Sequence, residues 1–150
     1  MSPDELLIPA VLDDALGFNI YRVGLLLRRE LIRTLADYKM TPEQWQVMAA
    51  LWSTGNPLSQ SEIVQLTLKD KHTVSRIIQR LERNGWIEKK TDPRDRRVTI
   101  IQPTPKGEAL KNEVPPKLSG HFKEVFQEFS AEEKQLLLDS LKKLRGALGD

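Results

Sequence analysis

The chain has 150 residues, which is the size of one ordinary domain. Hydrophobic residues make up 39% and charged residues 29%, so the composition excludes a disordered tail. The absence of cysteine excludes disulfides, thiolate zinc sites, cysteine nucleophiles and thiol-based redox sensing. No apolar run approaches the roughly 20 residues of a membrane-spanning helix, and the N-terminus is too acidic for a secretory signal. We therefore expect one soluble, cytoplasmic domain, 1–150, that does not bind membranes.

The charge is distributed unevenly along the chain. Residues 69–106 contain 11 Lys/Arg and 5 Asp/Glu, a net charge of +6, whereas the remaining residues contain 12 and 16, a net charge of −4. A local basic excess is typical of a surface that binds a polyanion. A solvated basic face is the alternative interpretation.

Helical periodicity covers the first part of the chain. Apolar residues at spacings of three and four predict a long first helix: Leu16, Ile20, Val23, Leu27, Leu31 and Leu35. Thr41-Pro42-Glu43-Gln44 has the pattern of a capping box with proline in the first turn, and predicts the start of a second helix. Gly55-Asn56-Pro57 ends that helix.

Two short helices follow, joined by about three residues. Ser59-Gln60-Ser61-Glu62 is a second capping box, and Asp70 is a suitable N-cap for a helix over about 71–84 that ends at Asn84-Gly85. This arrangement predicts a helix-turn-helix.

The periodicity becomes extended after Trp86. Residues 87–91 and 98–102 predict two strands of a β-hairpin whose polar tip is 92–97. Thr104-Pro105 starts another helix, which Pro115-Pro116 interrupts or kinks, and a third capping box at Ser130 opens the last helix. The predicted fold class is therefore mostly α with a small β-hairpin.

The helix over 71–84 has a polar, basic face opposite its apolar stripe. Because the first turns of the second helix of a helix-turn-helix enter the major groove, we expect the early residues to contact bases and Arg80 and Arg83 to lie nearer the phosphate backbone. The candidate base-contacting residues are Lys71, His72, Thr73, Ser75 and Arg76. An ordinary amphipathic helix with a solvated cationic side is the alternative.

Three arginines lie in the hairpin tip, at Arg94, Arg96 and Arg97. Narrow minor grooves concentrate negative potential and attract inserted arginine side chains. Asp92 and Asp95 are then structural, each able to pair with an arginine and hold the loop. The alternative is a charged surface turn of mixed sign.

Together these segments resemble the MarR family of winged-helix regulators. The resemblance depends on the helix-turn-helix, on Leu81 to Glu88, on Asp92-Pro93-Arg94-Asp95-Arg96-Arg97 and on Lys106-Gly107, with Asp70 to Arg76 similar to the family's recognition-helix opening. It covers about residues 10–148. It implies a winged helix-turn-helix core at about 41–104, with dimerisation helices at about 10–38 and 105–148.

The resemblance also implies roles for residues and partners. Arg94 is the implied minor-groove arginine, and Asp92 and Arg97 are its implied supporting pair. The implied protein is a homodimer that binds double-stranded DNA at a near-palindromic operator, and a repressor that a small aromatic or phenolic effector releases. Pro115-Pro116 departs from the family's pattern and bears on dimer geometry, hence on half-site spacing.

Other classes of function find less support. The two histidines, His72 and His121, are far apart in sequence and form no metal-binding motif, and no phosphate-binding glycine loop is present. We expect no catalytic residues, no metal and no cofactor, and therefore not an enzyme. Trp45, Trp52, Trp86 and Phe18 are either core residues or the lining of an effector pocket. A helical protein–protein interaction module with a basic surface for an acidic partner is the alternative function.

Overall fold

A computed structural model describes residue 7 and residues 11–150. The acidic residues Asp4 and Glu5 and the predicted start of the N-terminal dimerisation segment at residue 10 lie outside the described residues. Within the described part, no helix is long and apolar enough to cross a bilayer. The helices are α1 (Leu16–Leu35), α2 (Pro42–Thr54), α3 (Gln60–Thr67), α4 (Lys71–Arg83), α5 (Pro105–Ala109), α6 (Val114–Val125) and α7 (Ala131–Ala147). The strands are β1 (Leu58–Ser59), β2 (Ile87–Asp92) and β3 (Asp95–Pro103), and short 3-10 turns cover Leu12–Asp14, Ala36–Tyr38 and Leu110–Asn112.

The predicted capping boxes are present. The backbone N–H of Gln44 donates to Thr41 Oγ1 at 3.2 Å, and the Thr41 N–H donates to Gln44 Oε1 at 2.9 Å, so two free donors at the start of α2 are satisfied. Gly55 ends α2 with φ +67°, the left-handed conformation that glycine adopts without strain. Capping boxes also open α3 at Ser59 and α7 at Ser130.

Helices α3 and α4 form the predicted helix-turn-helix over the apolar core. Leu68, in the turn between them, has φ 54° and is 83% exposed, whereas Ile63 of α3 is fully buried. The inner face of α4 joins α2 and the strands in one core cluster through Val74, Ile77, Ile78 and Leu81. The core therefore fixes which face of α4 points outward.

The hairpin is part of a three-stranded antiparallel sheet in the order β1-β3-β2. Leu58 and Ser59 pair with Ile101 and Ile100, an additional strand that the sequence analysis did not predict. Two residues are too few to show the alternation that identifies a strand. β1 ties the hairpin to the start of α3.

The base of the hairpin is closely packed against α2. The Trp52 Nε1–H donates to the Gly107 carbonyl oxygen at 3.2 Å, and a Cβ at Gly107 would lie 2.0 Å from the carbonyl oxygen of Trp86. Thr104 donates its backbone N–H to the same Trp86 oxygen at 3.0 Å. Only glycine fits at position 107 without displacing the backbone.

The predicted interruption near the proline pair is present, but its cause differs. The chain leaves α5 through the 3-10 turn at Leu110–Asn112, and Pro115 and Pro116 lie in the first turn of α6. Proline is compatible with a first turn because those N–H groups have no helical acceptor. The prolines therefore begin a new helix and do not kink a continuous one.

The outer helices expose much of their apolar surface. Helix α7 has no buried residue, and α1 buries only Thr34 and Leu35, both at its C-terminal end. Large exposed apolar side chains on the two helices are Leu16, Ile20, Val23, Leu25, Leu26, Ile32, Leu136, Leu137, Leu138, Leu141 and Leu144. Exposed apolar side chains concentrated on two helices are typical of a surface that another molecule covers.

Candidate nucleic-acid interface

Helix α4 displays the predicted polar face to solvent. Lys71, His72, Arg76 and Arg80 are exposed, while Thr73 and Ser75 are half-buried. At 100° per residue, His72 and Arg76 lie near the centre of the outward face, Lys71 and Ser75 lie toward one edge, and Arg80 and Thr73 lie toward the other. The six predicted residues of α4 are therefore brought to one surface.

The start of α4 is fixed by Asp70. Its Oδ1 accepts from the Thr73 backbone N–H at 2.8 Å, and its Oδ2 accepts from Thr73 Oγ1 at 2.9 Å. The hydrogen bonds from the Thr73 backbone and side chain hold the pKa of Asp70 below its ordinary value. The N-cap is thus an ionised carboxylate that lies near the positive end of the helix dipole.

Ser75 is held from the other side by α3. The side-chain amide of Gln60 donates to Ser75 Oγ at 3.1 Å and to the Lys71 carbonyl oxygen at 3.3 Å. The two helices of the helix-turn-helix are therefore joined by polar contacts in addition to their packing in the apolar core.

Many of the cations on this surface are not paired with carboxylates. The acidic residue of α4, Glu82, contacts Lys89 of β2 at 3.4 Å. Among the described residues, the following cations of the surface make no salt bridge: Lys71, Arg76, Arg80, Arg83, Arg94 and Arg96. An accumulation of unpaired like charges is unfavourable for the isolated protein, and a polyanion relieves it.

Both aspartates of the hairpin tip accept hydrogen bonds within the tip, and their partners correct the expectation that Asp92 pairs with Arg97. Arg97 Nε donates to Asp95 Oδ1 at 3.1 Å, so its partner is Asp95 and not Asp92. Asp92 Oδ1 instead accepts the Arg94 backbone N–H at 2.9 Å. The partners are two positions apart in the sequence in each case, which suits short local contacts in a turn. The hydrogen bonds from the Arg97 side chain and backbone lower the pKa of Asp95.

The stem of the hairpin lies directly beside α4. Ser75 and Gln79 of α4 line a small cleft of about 140 Å³ together with Lys89 and Thr99 of the strands. A second cleft of about 540 Å³ has Lys71 on one side and Arg97 on the other. Helix α4 and the stem of the hairpin therefore share two clefts.

Two residues of this surface were not among the predicted site residues. Gln79 is exposed and lies in the centre of the outward face of α4, where its helical spacing from His72 and Arg76 places it. Gln60 had no comparable signal, because its contacts join positions 11 and 15 residues apart.

The remaining candidate residues lie elsewhere. Trp52 and Trp86 are buried in the core, and Trp45 packs against Trp52 with ring centroids 6.0 Å apart. His121 is half-buried on α6, with Nε2 3.1 Å from Glu30 Oε2 of α1. Among the described residues, no cluster of histidine and acidic side chains could hold a metal ion.

Comparison with known proteins identifies the family. The sequence model of the MarR family matches residues 38–98. The HTH-type transcriptional regulator PecS of Dickeya dadantii (strain 3937) is 33% identical over 118 residues, which span 77% of this chain and 71% of PecS. The chain belongs to the MarR family.

Solved structures agree with this assignment. The reduced form of MarR from E. coli has a TM-score of 0.72 and 25% identity, over 86% of this chain and 95% of that one. The DNA complex of MepR from S. aureus has a TM-score of 0.79 at 20% identity, over 91% of this chain and 98% of that one; at this identity the likeness shows the fold alone. Membership of the MarR family confirms the predicted fold class and identifies a DNA-binding transcription regulator, not an enzyme.

Proposed function

We propose that this MarR-family protein binds specific double-stranded DNA sites with α4 in the major groove and the hairpin as a wing over the adjoining minor groove. The observations that carry the proposal are the clefts that α4 shares with the stem of the hairpin, and the cations of α4 and of the hairpin tip that make no salt bridge within the described part of the chain. The side chains proposed to contact DNA are Lys71, His72, Thr73, Ser75, Arg76 and Arg80 of α4 and Arg94 and Arg96 of the wing. Asp92, Asp95 and Arg97 hold the tip in shape.

The proposed active species is a homodimer. The exposed apolar faces of α1 and α7 supply a surface that a second copy can cover. The chain then acts as a single domain with a winged-helix core at about 41–104 and dimerisation helices on both sides. A two-fold axis places the two recognition helices about 34–36 Å apart, one turn of DNA, so the operator is near-palindromic.

The proposed regulation is repression that a small aromatic or phenolic ligand relieves. Occupancy of a promoter blocks transcription, and release follows when the ligand favours a dimer in which the two α4 helices are wrongly spaced. This requires the ligand to bind the two dimer conformations with different affinities, because a ligand of equal affinity shifts nothing.

The test of DNA binding is an anisotropy titration of a labelled random-sequence duplex at several salt concentrations. The logarithm of the binding constant should fall linearly with the logarithm of the salt concentration, by about 0.9 per phosphate neutralised. Arg94→Ala should weaken binding and reduce this slope by about 1. The matched control is Lys111→Ala, because Lys111 is exposed on the turn after α5, away from the proposed interface.

Two outcomes would contradict the proposal. Equal binding by Arg94→Ala and the wild type would remove the wing from the interface. Competition by polyglutamate as effective as that by DNA, with no site enriched from a random duplex pool, would favour an interaction module for acidic proteins.

A further inference from the structure

Helix α4 borders a further cleft, on the edge that faces away from the hairpin. This cleft of about 500 Å³ lies between the start of α2 and α4, and we call it the α2 cleft. Thr73 and Arg80 line it from α4, and both lie toward the edge of the outward face opposite Ser75, which lines a cleft beside the hairpin. The charged residues that line the α2 cleft are Glu43, Lys69, Asp70, Arg76 and Arg80. Helix α4 is therefore flanked by a cleft on each side.

The cations of the α2 cleft are available to an outside partner. Lys69, Arg76 and Arg80 are exposed, and within the described part of the chain none of them makes a salt bridge. Lys69 is not among the residues that the proposed function assigns to DNA. Its backbone N–H donates to Thr67 Oγ1 at 3.3 Å, so the main chain holds this turn without help from the Lys69 ammonium group.

The two carboxylates of the α2 cleft already have partners of their own. Asp70 accepts hydrogen bonds from the Thr73 backbone N–H at 2.8 Å and from Thr73 Oγ1 at 2.9 Å. Glu43 pairs with Arg28 of α1, whose Nη1 lies 2.5 Å from Glu43 Oε1. With Arg28 included, four cations accompany two carboxylates, so this region has a net positive charge and attracts an anion.

Lys69 lies close to the residues proposed to enter the major groove. It precedes Lys71, the first residue of α4, by two positions, so the Cα atoms of these two residues are no more than about 7 Å apart. A helix in the major groove has a phosphate backbone on each side, because each strand of the duplex forms one wall of the groove. In the proposed complex the hairpin lies toward one wall, so the α2 cleft faces the other.

We propose that the α2 cleft binds a phosphate of the DNA backbone, on the wall of the major groove opposite the wing, and that Lys69 contacts this phosphate together with Arg80. The inference rests on the proposed function, in which α4 enters the major groove. Phosphate contacts carry no direct information on base identity. Lys69 therefore contributes affinity and fixes the position of α4 across the groove, and it does not select the sequence.

The first experiment is the anisotropy titration of a labelled random-sequence duplex, at several salt concentrations, with Lys69→Gln. Loss of one phosphate contact should reduce the slope of log binding constant against log salt concentration by about 0.9 for each protomer bound. The ratio of the wild-type to the variant binding constant should therefore fall about 3.5-fold per protomer between about 50 and 200 mM salt. Lys69→Arg keeps the charge and should keep the wild-type slope.

Lys111→Gln is the matched control. It removes the same charge from an exposed position on the turn after α5, away from the α2 cleft. Its slope should equal that of the wild type. Because Lys69 and Lys111 are both exposed, neither variant should alter the melting temperature appreciably.

A second experiment locates the contact. A site enriched by the wild type from a random duplex pool is rebuilt with one uncharged methylphosphonate in place of each phosphate in turn. In each half-site, one replacement should weaken binding by the wild type and not weaken binding by Lys69→Gln any further. This phosphate should lie on the strand opposite to any phosphate that couples in the same way to Lys71→Gln, because Lys71 lines a cleft on the hairpin side. The base preferences of Lys69→Gln should be those of the wild type.

The outcomes separate the inference from the proposed function. If the wild type shows no salt-dependent binding to the duplex, the proposed function fails and the inference with it. If the wild type binds and Lys69→Gln has the slope of Lys111→Gln, or if no phosphate couples to Lys69, the inference is overturned and the function stands. Should Lys69→Gln be unfolded by circular dichroism, Lys69→Ser decides by the same two measurements, and an unchanged slope overturns the inference.

Discussion

Substituting Gly107 by alanine tests how the wing is attached to the core. The new Cβ would lie 2.0 Å from the Trp86 oxygen, 2.9 Å from the Trp86 carbonyl carbon and 3.2 Å from Met48 Cε. Two of these neighbours are backbone atoms, and the Trp86 oxygen is already bonded to the Thr104 N–H at 3.0 Å. Relief of the contact therefore separates α5 from the start of β2.

The expected cost has two parts. Overpacking of this kind costs about 1–3 kcal/mol, and displacement of the Gly107 carbonyl from Trp52 Nε1 costs about 0.5–1.5 kcal/mol more. For a chain of this length each kcal/mol lowers the melting temperature by about 2–4 °C. We expect Gly107→Ala to melt about 5–15 °C below the wild type.

Thermal unfolding by circular dichroism, at equal protein concentration, measures this cost. Gly120→Ala is the control, because no atom lies within 4 Å of a Cβ built at Gly120, and a helical alanine is favoured over glycine by up to about 1 kcal/mol. A melting temperature of Gly107→Ala equal to that of the wild type, or a similar loss in Gly120→Ala, would refute the packing argument.

Three further predictions concern the core, the link between helices and the dimer. Trp52→Phe should lower the free energy of unfolding by about 1–3 kcal/mol, because the buried Gly107 carbonyl loses its donor; urea denaturation measures it. The Arg28–Glu43 ion pair, 2.5 Å between Nη1 and Oε1, joins α1 to α2. Burial raises the pKa of Glu43, but the hydrogen bond from Arg28, a backbone hydrogen bond and the charges of Arg28 and Lys69 together outweigh it, so the net pKa lies below its ordinary value of 4.5. The stabilisation by this ion pair is present above the pKa that Glu43 has in the unfolded chain, and it is lost as the pH falls through the pKa of Glu43 in the folded protein. A double-mutant cycle with Arg28→Ala and Glu43→Gln should show coupling at pH 7 and none at about pH 2. Coupling at both pH values would contradict an origin in the ionised carboxylate of Glu43. Leu141→Glu should convert the proposed dimer into a monomer of 17.2 kDa by sedimentation, with helix content retained, and an unchanged mass would argue against α7 as an interface.

The parts of the fold that the sequence predicted are those coded by neighbouring residues. Capping boxes at Thr41 and Ser59 and the Asp70 cap act within three residues, so their patterns are recognisable without the fold. The Gln60–Ser75 contact and the strand β1 depend on the approach of distant segments, which no local pattern reports. The residue pattern allows either aspartate of the hairpin tip to pair with an arginine, and the family likeness implied Asp92 for Arg97. The structure pairs Arg97 with Asp95, the nearer carboxylate in the sequence.

The distribution of burial indicates where a change in the geometry of the proposed dimer would arise. Helices α2, α3 and α4 and the strands share one core cluster, so they move as a unit. Of the outer helices, α1 enters that core only through its end at Leu35, with Leu31 packed against it, and α6 enters through Val114 and Leu118. These two junctions connect each winged-helix core to the proposed dimerisation helices.

In the proposed dimer, a rotation at the junctions therefore changes the spacing of the two α4 helices without disturbing the surface proposed to contact DNA. To shift such an equilibrium from 1:99 to 99:1, a ligand must bind one arrangement about 10⁴-fold more tightly than the other. A weaker ligand acts only if the two arrangements are closer in free energy. A substitution at a junction, such as Val114→Ala, should therefore change operator affinity and leave the base preferences at each half-site intact. A change of base preference with unaltered affinity would place the coupling within the winged-helix core instead.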